Sequence, residues 1–159
     1  MAAISWGKPK IWLSKLDAEG KPTTWESVPT PAEGTTTLNT TKGDKKEAKI
    51  EGGENEAVKY NRNTFALEFT IRASKGRVKL AEDDDGVIEG EYALKLQPED
   101  PTVQGLSIDR GTLSFEPTYT TEEGIQWKYT IDALVPYDNS RKSVVFEVIT
   151  SPTNSSSGE

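Results

Sequence analysis

The side chains that most often perform catalysis are missing from this 159-residue chain, which contains neither histidine nor cysteine. Without histidine a Ser-His-Asp arrangement cannot form, and the usual general base and imidazole metal ligand are absent. Without cysteine there are no disulfides and there is no thiolate chemistry. No serine, threonine or lysine stands in a nucleophile motif. The sequence therefore predicts a protein that is not an enzyme, with no catalytic residue, no cofactor and no bound metal.

Acidic side chains are the remaining candidates for site chemistry, because the chain has 26 of them against 19 basic ones. The run Asp83-Asp84-Asp85 offers the oxygen ligands that calcium prefers, but consecutive carboxylates lack the spacing of a calcium loop. A solvated loop is the favoured interpretation. Carboxylates that hydrolyse glycosides lie about 5 to 9 Å apart across a cleft, and a sequence does not reveal such a distance.

Four tryptophans are candidates for binding by aromatic stacking: Trp6, Trp12, Trp25 and Trp127. Trp127 lies on the apolar side of an alternating segment, which predicts a core position. Trp12 is out of phase with its apolar neighbours, so its side chain is expected to face away from the core. Trp6 and Trp12 are predicted to contact a partner, which would be a sugar or another subunit.

Short segments of alternating apolar and polar residues must position these side chains. Four of them predict half-buried strands, at Thr64–Arg72, Glu91–Leu96, Ile125–Val135 and Ser143–Ile149. Weaker patterns predict strands at Lys10–Leu16 and Thr23–Val28, which would pair as a hairpin, and at Thr35–Thr41 and Asp44–Glu51. Gly105–Glu116 is predicted to form either a pair of strands or one strand with a bulge at Gly111.

The predicted fold is all-β, an antiparallel β-sandwich or partly closed barrel with at most one short helix, at Ala73–Ala81. One β domain would occupy residues 10–150, after an N-terminal arm (1–9) and before a disordered C-terminal tail (151–159). Met1–Gly7 does not have the pattern of a signal peptide, and no apolar stretch approaches the length of a membrane span. The expectation is a protein made in the cytoplasm, without a membrane partner.

Three segments give the chain a resemblance to a known family: Thr41–Glu54, Gly90–Asp100 and Gly111–Pro136. In pattern and order they resemble bacteriophage tail tube proteins (major tail proteins), which are related to the tube proteins of contractile injection systems. The likeness covers roughly Ser5 to Thr150. It implies a self-assembling virion protein, located in the phage tail and assembled in the host bacterial cytoplasm. Its partners would be further copies of itself and other tail proteins.

The resemblance also implies an architecture, in which hexameric rings stack into a tube that conducts DNA without binding it specifically. An N-terminal arm and a long loop bridge adjacent rings in that family, and Met1–Lys10 and Thr30–Glu54 are the matching segments here. The alternative is a carbohydrate-binding or adhesin-like β-sandwich, which the tryptophans support. The missing signal peptide and cysteines count against that alternative.

The acidic charge is concentrated in the sequence between Glu82 and Asp100, which contains eight acidic residues and one basic residue. That excess of seven equals the net charge of the whole chain, −7. One interpretation is a solvated loop and strand face. The functional interpretation is a tube lumen that repels phosphate, with Glu89 and Glu91 facing the lumen and Asp83–Asp85 at a rim or subunit contact.

Overall fold

The computed structural model describes residues 7–32, 34–77, 79–80, 83–137, 140–150 and 152. Within these ranges the protein is all-β, which confirms the predicted fold class. No helix there is long and apolar enough to cross a membrane. The ten strands are β1 (Lys10–Lys15), β2 (Glu26–Ser27), β3 (Thr37–Thr41), β4 (Lys45–Lys49), β5 (Asn55–Tyr60), β6 (Thr64–Arg72), β7 (Val87–Gln97), β8 (Gly105–Thr120), β9 (Gly124–Ala133) and β10 (Val145–Glu147).

Eight of the strands form one antiparallel sheet, in the order β2-β1-β7-β8-β9-β6-β3, with β10 beside the start of β8. The sheet folds over along β8, whose 16 residues pair with β7 and β10 near the start and with β9 further on. The result is a sandwich-like arrangement, not a closed barrel. One layer contains β2, β1, β7 and β10, and the other contains β9, β6 and β3. Strands β4 and β5 form a separate two-stranded sheet.

The alternating segments supply the core between the layers. Leu67, Phe69 and Ile71 of β6 are almost fully buried, as the period-two pattern predicts. Tyr129 of β9 lies at the centre, where its ring centroid is 5.8 Å from that of Phe69 and 5.1 Å from that of Phe115. In β7, Tyr92, Leu94 and Leu96 are buried as predicted.

The predicted pairing of the first two segments is confirmed. Strand β1 pairs with β2 on one side and with β7 on the other, and Ile11 and Leu13 enter the core. Strand β8 is one strand rather than two. Its register with β7 shifts between the pairs Tyr92–Gly111 and Leu94–Ile108, which puts a bulge next to Gly111, where one was predicted.

The predicted helix at Ala73–Ala81 is wrong for the residues that are described in it. Arg77 donates a backbone hydrogen bond to Ser74, and Gly76 has a φ of +86°, so the chain makes a turn there. The backbone N–H of Leu80 then donates to the Tyr129 hydroxyl at 3.1 Å, which ties this loop to the core. Part of the predicted arm (1–6) and most of the predicted tail (151 and 153–159) lie outside the described residues.

Candidate assembly surfaces

The β4–β5 hairpin extends from the sandwich without contributing to its core. Every residue of both strands is exposed, and the hairpin forms its own two-stranded sheet. An isolated two-stranded hairpin is marginally stable in water. A hairpin of this kind is stabilised when its exposed surface packs against another molecule.

A sharp bend joins this hairpin to β3 and β6. Asn61 donates its backbone N–H to the carbonyl of Asp44, and Gly43 donates its own to the Asn63 side chain at 3.0 Å. A Cβ atom at Gly43 would overlap the carbonyl oxygen of Asn61, so the two backbones approach too closely for any other residue. The base of the hairpin therefore has a defined geometry that fixes where the hairpin leaves the sandwich.

The side chains of the hairpin combine charges with exposed apolar groups. Glu47 pairs with Lys45 at 2.7 Å and with Lys49 at 3.7 Å. The ammonium group of Lys42 lies 4.8 Å from the centroid of the Tyr60 ring. Val58, Tyr60 and, at the tip, Ile50 are all at least 44% exposed. Such aromatic and aliphatic side chains among charges are typical of interface anchors with a polar rim.

The large sheet has open edges as well. Within the described part of the chain, β3 pairs with β6 on one side and with no strand on the other. Its residues are mostly exposed. At the other end of the strand order, β2 covers only part of β1, at the pairs Trp12–Ser27 and Leu13–Glu26. Open edges offer backbone donors and acceptors to a strand of another chain.

The turn between β8 and β9 lies at the opposite end of the second layer from the β4–β5 hairpin. Tyr119 and Ile125 form a cross-strand pair on the face that further along carries Phe115 and Tyr129. Beyond the core this face is uncovered, so Tyr119 is 68% and Ile125 50% exposed. Two ends of one layer therefore present different apolar surfaces, which suits a head-to-tail contact between copies.

A third apolar surface is a cleft of about 750 Å³, called here the end cleft. It lies between the layers near the end of β7 and the start of β8. Leu67, Leu96 and Leu106 line it as nearly buried residues, while Leu38 and Phe146 are more exposed. Gly7, Lys8 and Pro9 also line the cleft, together with Thr30, Pro31, Ala32, Gly34 and Thr36 of the loop before β3.

Glu91, one of the two predicted lumen residues, lies in a polar cluster on the outer face of β7. Its Oε2 accepts hydrogen bonds from Arg110 Nη2 at 2.7 Å and Nε at 3.0 Å, and its Oε1 accepts one from the Tyr137 hydroxyl at 3.0 Å. The Arg110 guanidinium lies 4.2 Å from the Tyr137 ring centroid. These bonds, that of Arg110 above all, hold the pKa of Glu91 below its ordinary value. The negative charge of Glu91 is therefore matched inside the subunit.

The other acidic residues of the predicted stretch are separated in space. Strand β7 has 11 residues and spans about 33 Å, so Glu89 and Asp83–Asp85 lie near one end and Asp100 follows the other. Glu89 is exposed. Asp85 and Gly86 both have positive φ, as in a two-residue hairpin turn, and Asp83 accepts hydrogen bonds from Gly86 and Lys79. Among the described residues no group of acidic side chains is arranged to hold a metal ion.

The described tryptophans are all half-buried. Trp127 packs against the core, as predicted. Trp12 faces away from the core, also as predicted, and pairs across the sheet with Lys95, whose ammonium group lies 4.9 Å from the Trp25 ring centroid. Trp6 lies outside the described residues. Neither Trp12 nor Trp25 is fully exposed.

The sequence reasoning missed strand β5 and with it the hairpin. Asn55–Tyr60 has no buried face, so the alternation that revealed the core strands is absent. The available signal was the Gly52-Gly53 pair, in which both residues have positive φ, followed by the β-formers Val58 and Tyr60.

Comparisons with known proteins add no further assignment. A scan against protein-family models finds no match, and no curated protein matches the chain. The likeness to tail tube proteins therefore rests on the three sequence segments alone.

Proposed function

We propose that this chain is a structural tail tube subunit, which assembles into stacked, hexameric rings that form a conduit for DNA. The observation that carries this function is the β4–β5 hairpin, which extends from the sandwich with every strand residue exposed. The hairpin overlaps the segment that the family resemblance assigns to contacts between rings. A subunit of this kind needs two different interfaces, one that closes a ring and one that repeats along a stack.

The remaining surfaces support the same function. The open edge of β3 suits pairing with a strand of a neighbour within the ring. The hairpin and the β8–β9 turn lie at opposite ends of one layer, which suits contacts along the stack. Trp12 is the sequence-predicted assembly contact that the described residues include, and it is half-buried on the outer face of β1. Trp6 remains a predicted contact.

The DNA conduit requires a lumen that does not bind phosphate. Lysine and arginine contacts release counterions and hold DNA, whereas a ring of carboxylates repels it. Glu89 is the better candidate for this lining, because it is exposed. Glu91 contributes less net charge, since Arg110 pairs with it at 2.7 Å.

Removal of the hairpin tests the function most directly. A variant in which Asn-Gly replaces Lys45–Tyr60 keeps every residue of the hydrophobic core, so we expect it to fold. We expect it to lose ring and tube formation, as measured by sedimentation and negative-stain electron microscopy of concentrated protein. The wild-type chain, seeded with tail initiator proteins where needed, is the reference.

Three results would contradict the proposed function. The first is normal tubes from the hairpin-deleted variant. The second is a wild-type chain that stays monomeric under seeding and instead binds glycans in a saturable way that Trp12→Ala abolishes. That second result would favour the carbohydrate-binding alternative. Turnover in a hydrolase screen, removed by mutation of one carboxylate, would contradict a purely structural role.

A further inference from the structure

The β4–β5 hairpin has two exposed faces with different chemistry. One of them, called here the lysine face, contains two cross-strand pairs, Lys46–Lys59 and Ala48–Ala57. Residues directly opposite each other in an antiparallel pair lie on the same face, with Cβ atoms about 5 Å apart, so two like charges there destabilise the hairpin. Neither lysine makes an ion pair with a described residue, although Asp44 lies two residues before Lys46.

The other face matches its charges within the hairpin. Glu47 lies there and pairs with both Lys45 and Lys49. Val58 and Tyr60 lie on the same face. The lysine face is therefore the one with unmatched charge, and it places two positive charges beside a flat surface of two alanines. Such a surface fits a partner that presents carboxylates next to a small apolar group.

The turn before β7, called here the acidic turn (residues 84–87), has these properties. Asp84 and Val87 exchange backbone hydrogen bonds of 2.8 and 3.0 Å around Asp85 and Gly86, which both have positive φ. Asp-Gly is favoured in a two-residue turn of this kind, so the side chains are presented in a defined geometry. Asp84 and Asp85 are exposed and make no ion pair with a described residue, and Val87 is 66% exposed.

The hairpin and the acidic turn lie towards opposite ends of the sandwich. The hairpin precedes Thr64, the first residue of β6. Strands β6, β9, β8 and β7 are successive antiparallel neighbours, so β7 begins at the end away from the start of β6. A contact between opposite ends of two copies is heterologous, and it repeats along an open stack.

We propose that the lysine face of one copy docks on the acidic turn of a second copy. The two lysines pair with the two aspartates, and the two alanines pack against Val87. This inference rests on the proposed tube function and names the surface that receives the hairpin in the stack. Docking replaces the repulsion between Lys46 and Lys59 by charge-assisted hydrogen bonds, and it buries the exposed Val87 side chain.

Cysteine cross-linking on the full chain tests the docking and leaves all four charges in place. The chain has no cysteine, so Ala48→Cys and Val87→Cys supply the only thiols. In assembling protein, a short thiol cross-linker should join copies head to tail into a ladder of trimers and longer chains, about tenfold more abundant than in the control. The matched control combines Ala48→Cys with Val148→Cys, which is 49% exposed and lies outside the hairpin and the acidic turn.

The outcomes separate this inference from the tube function. Tubes that give no more ladder than the control would overturn the docking and leave the tube function intact. Cross-linking that stops at dimers would overturn it too, because a symmetric contact closes after two copies. A wild-type chain that forms neither rings nor tubes would contradict the tube function, and the docking with it.

A charge reversal separates docking from the stability of the hairpin. Lys59→Glu puts a carboxylate opposite Lys46, which should stabilise the hairpin itself. Docking on the acidic turn loses an attraction and gains a repulsion, so the critical concentration for tube formation in sedimentation should rise about tenfold. Asp84→Lys in the same chain should restore most of it. Lys142→Glu, the matched reversal at an exposed lysine outside the hairpin, should change it less than about twofold.

An unchanged critical concentration for Lys59→Glu would overturn the inference, as would a loss that Asp84→Lys does not restore. Normal tubes from Lys59→Glu that have lost a salt-sensitive affinity for DNA would also overturn it, because they would assign the lysine face to phosphate.

Discussion

The β8–β9 and β4–β5 hairpins have the same antiparallel pairing but opposite relations to the rest of the molecule. On one face, β8 and β9 carry Leu113, Phe115, Tyr129 and Ile131, which are all at most 5% exposed. Strands β4 and β5 have no buried residue. The first hairpin is stable because a second layer covers it, whereas no strand in the described part of the subunit covers the second hairpin.

This difference shows which contacts stabilise each hairpin. Burial of apolar area contributes about 25 cal/mol per Å², and the β8–β9 face gains it on folding. The β4–β5 hairpin gains it only when Val58, Tyr60 and Ile50 meet a partner. Substitutions in the two hairpins should therefore separate folding from assembly.

The largest effect is expected at the centre of the covered hairpin. Tyr129→Ala removes a ring with no exposed surface that stacks near Phe69 and Phe115, and should lower the free energy of unfolding by about 3–5 kcal/mol. Tyr129→Phe keeps the ring and loses only the hydrogen bond from Leu80, and should cost about 1 kcal/mol. Urea unfolding measures both. Equal losses in the two variants would show that the hydrogen bond, not the packing, dominates at this site.

A second, smaller effect is expected at Gln97, whose buried side-chain amide links the end of β7 to the following loop and to Ile149. Gln97 donates to the carbonyls of Asp100 and Val103 and accepts from the N–H of Ile149 at 2.7 Å. Gln97→Ala leaves these backbone groups without their partner and should cost about 1–3 kcal/mol in urea unfolding. The exposed Gln104 is the matched control, and Gln104→Ala should change stability by less than about 0.5 kcal/mol.

The contrast between the two hairpins also explains which strands could be predicted from the sequence. Period-two alternation arises from burial on one face, so β6 was predicted with its observed bounds, Thr64–Arg72. Alternation in the sequence also continues beyond the buried part of a strand. Ile125 and Val135 continue the alternation of β9 but are at least 50% exposed, because the opposite layer does not reach them. Strand β5 has no buried face and gave no such signal.

Tertiary contacts account for the other features of the structure that the sequence did not predict. The bonds of Gln97 join residues up to 52 positions apart, and no local pattern encodes them. The Glu91–Arg110 pair is separated by 19 residues, so an acidic stretch in the sequence gave no indication that one of its charges is matched. The segment at Ala73–Ala81 has helix formers, but its attachment to Tyr129 prevails over a weak local propensity.

The third largest effect is expected for Glu91→Gln, which should lower the free energy of unfolding by about 1 kcal/mol. The Glu91–Arg110 pair is partly buried and its hydrogen bonds are charge-assisted. The hydrogen bonds from Arg110 and Tyr137 lower the pKa of Glu91 in the folded state. A lowered pKa gives stability that is present above the ordinary value of about 4.5 and is lost as the pH falls through the folded-state value. The wild type should therefore exceed the Glu91→Gln variant in stability by the full amount at pH 7, and this difference should shrink below pH 4.5.

Thermal unfolding of the wild type and the Glu91→Gln variant between pH 3 and pH 7 measures this dependence. Glu89→Gln is the matched control for the loss of one charge from the same strand, because the Glu89 side chain is exposed. A stability difference at Glu91 that is constant across the pH range would contradict the assigned role of the ion pair.

The smallest effect on folding is expected for Tyr60→Ala in the β4–β5 hairpin, which makes the same chemical change as Tyr129→Ala. Tyr60 is 51% exposed, and the Lys42 ammonium 4.8 Å from its ring centroid is its one cation–π contact among the described residues. The free energy of unfolding of the sandwich should change by less than about 0.5 kcal/mol.

Assembly, unlike folding, should respond strongly to Tyr60→Ala. Exposed tyrosines that become buried in an interface often contribute most of its binding energy, so Tyr60→Ala should raise the critical concentration for ring or tube formation by about tenfold, or about 1.4 kcal/mol. Val148→Ala is the control, since Val148 is 49% exposed but lies outside the hairpin, the β8–β9 turn and the open strand edges. Sedimentation of both variants across a concentration series measures the critical concentrations. If Tyr60→Ala destabilises the sandwich as strongly as Tyr129→Ala does, the hairpin packs on its own subunit, and the distinction between the two hairpins is lost.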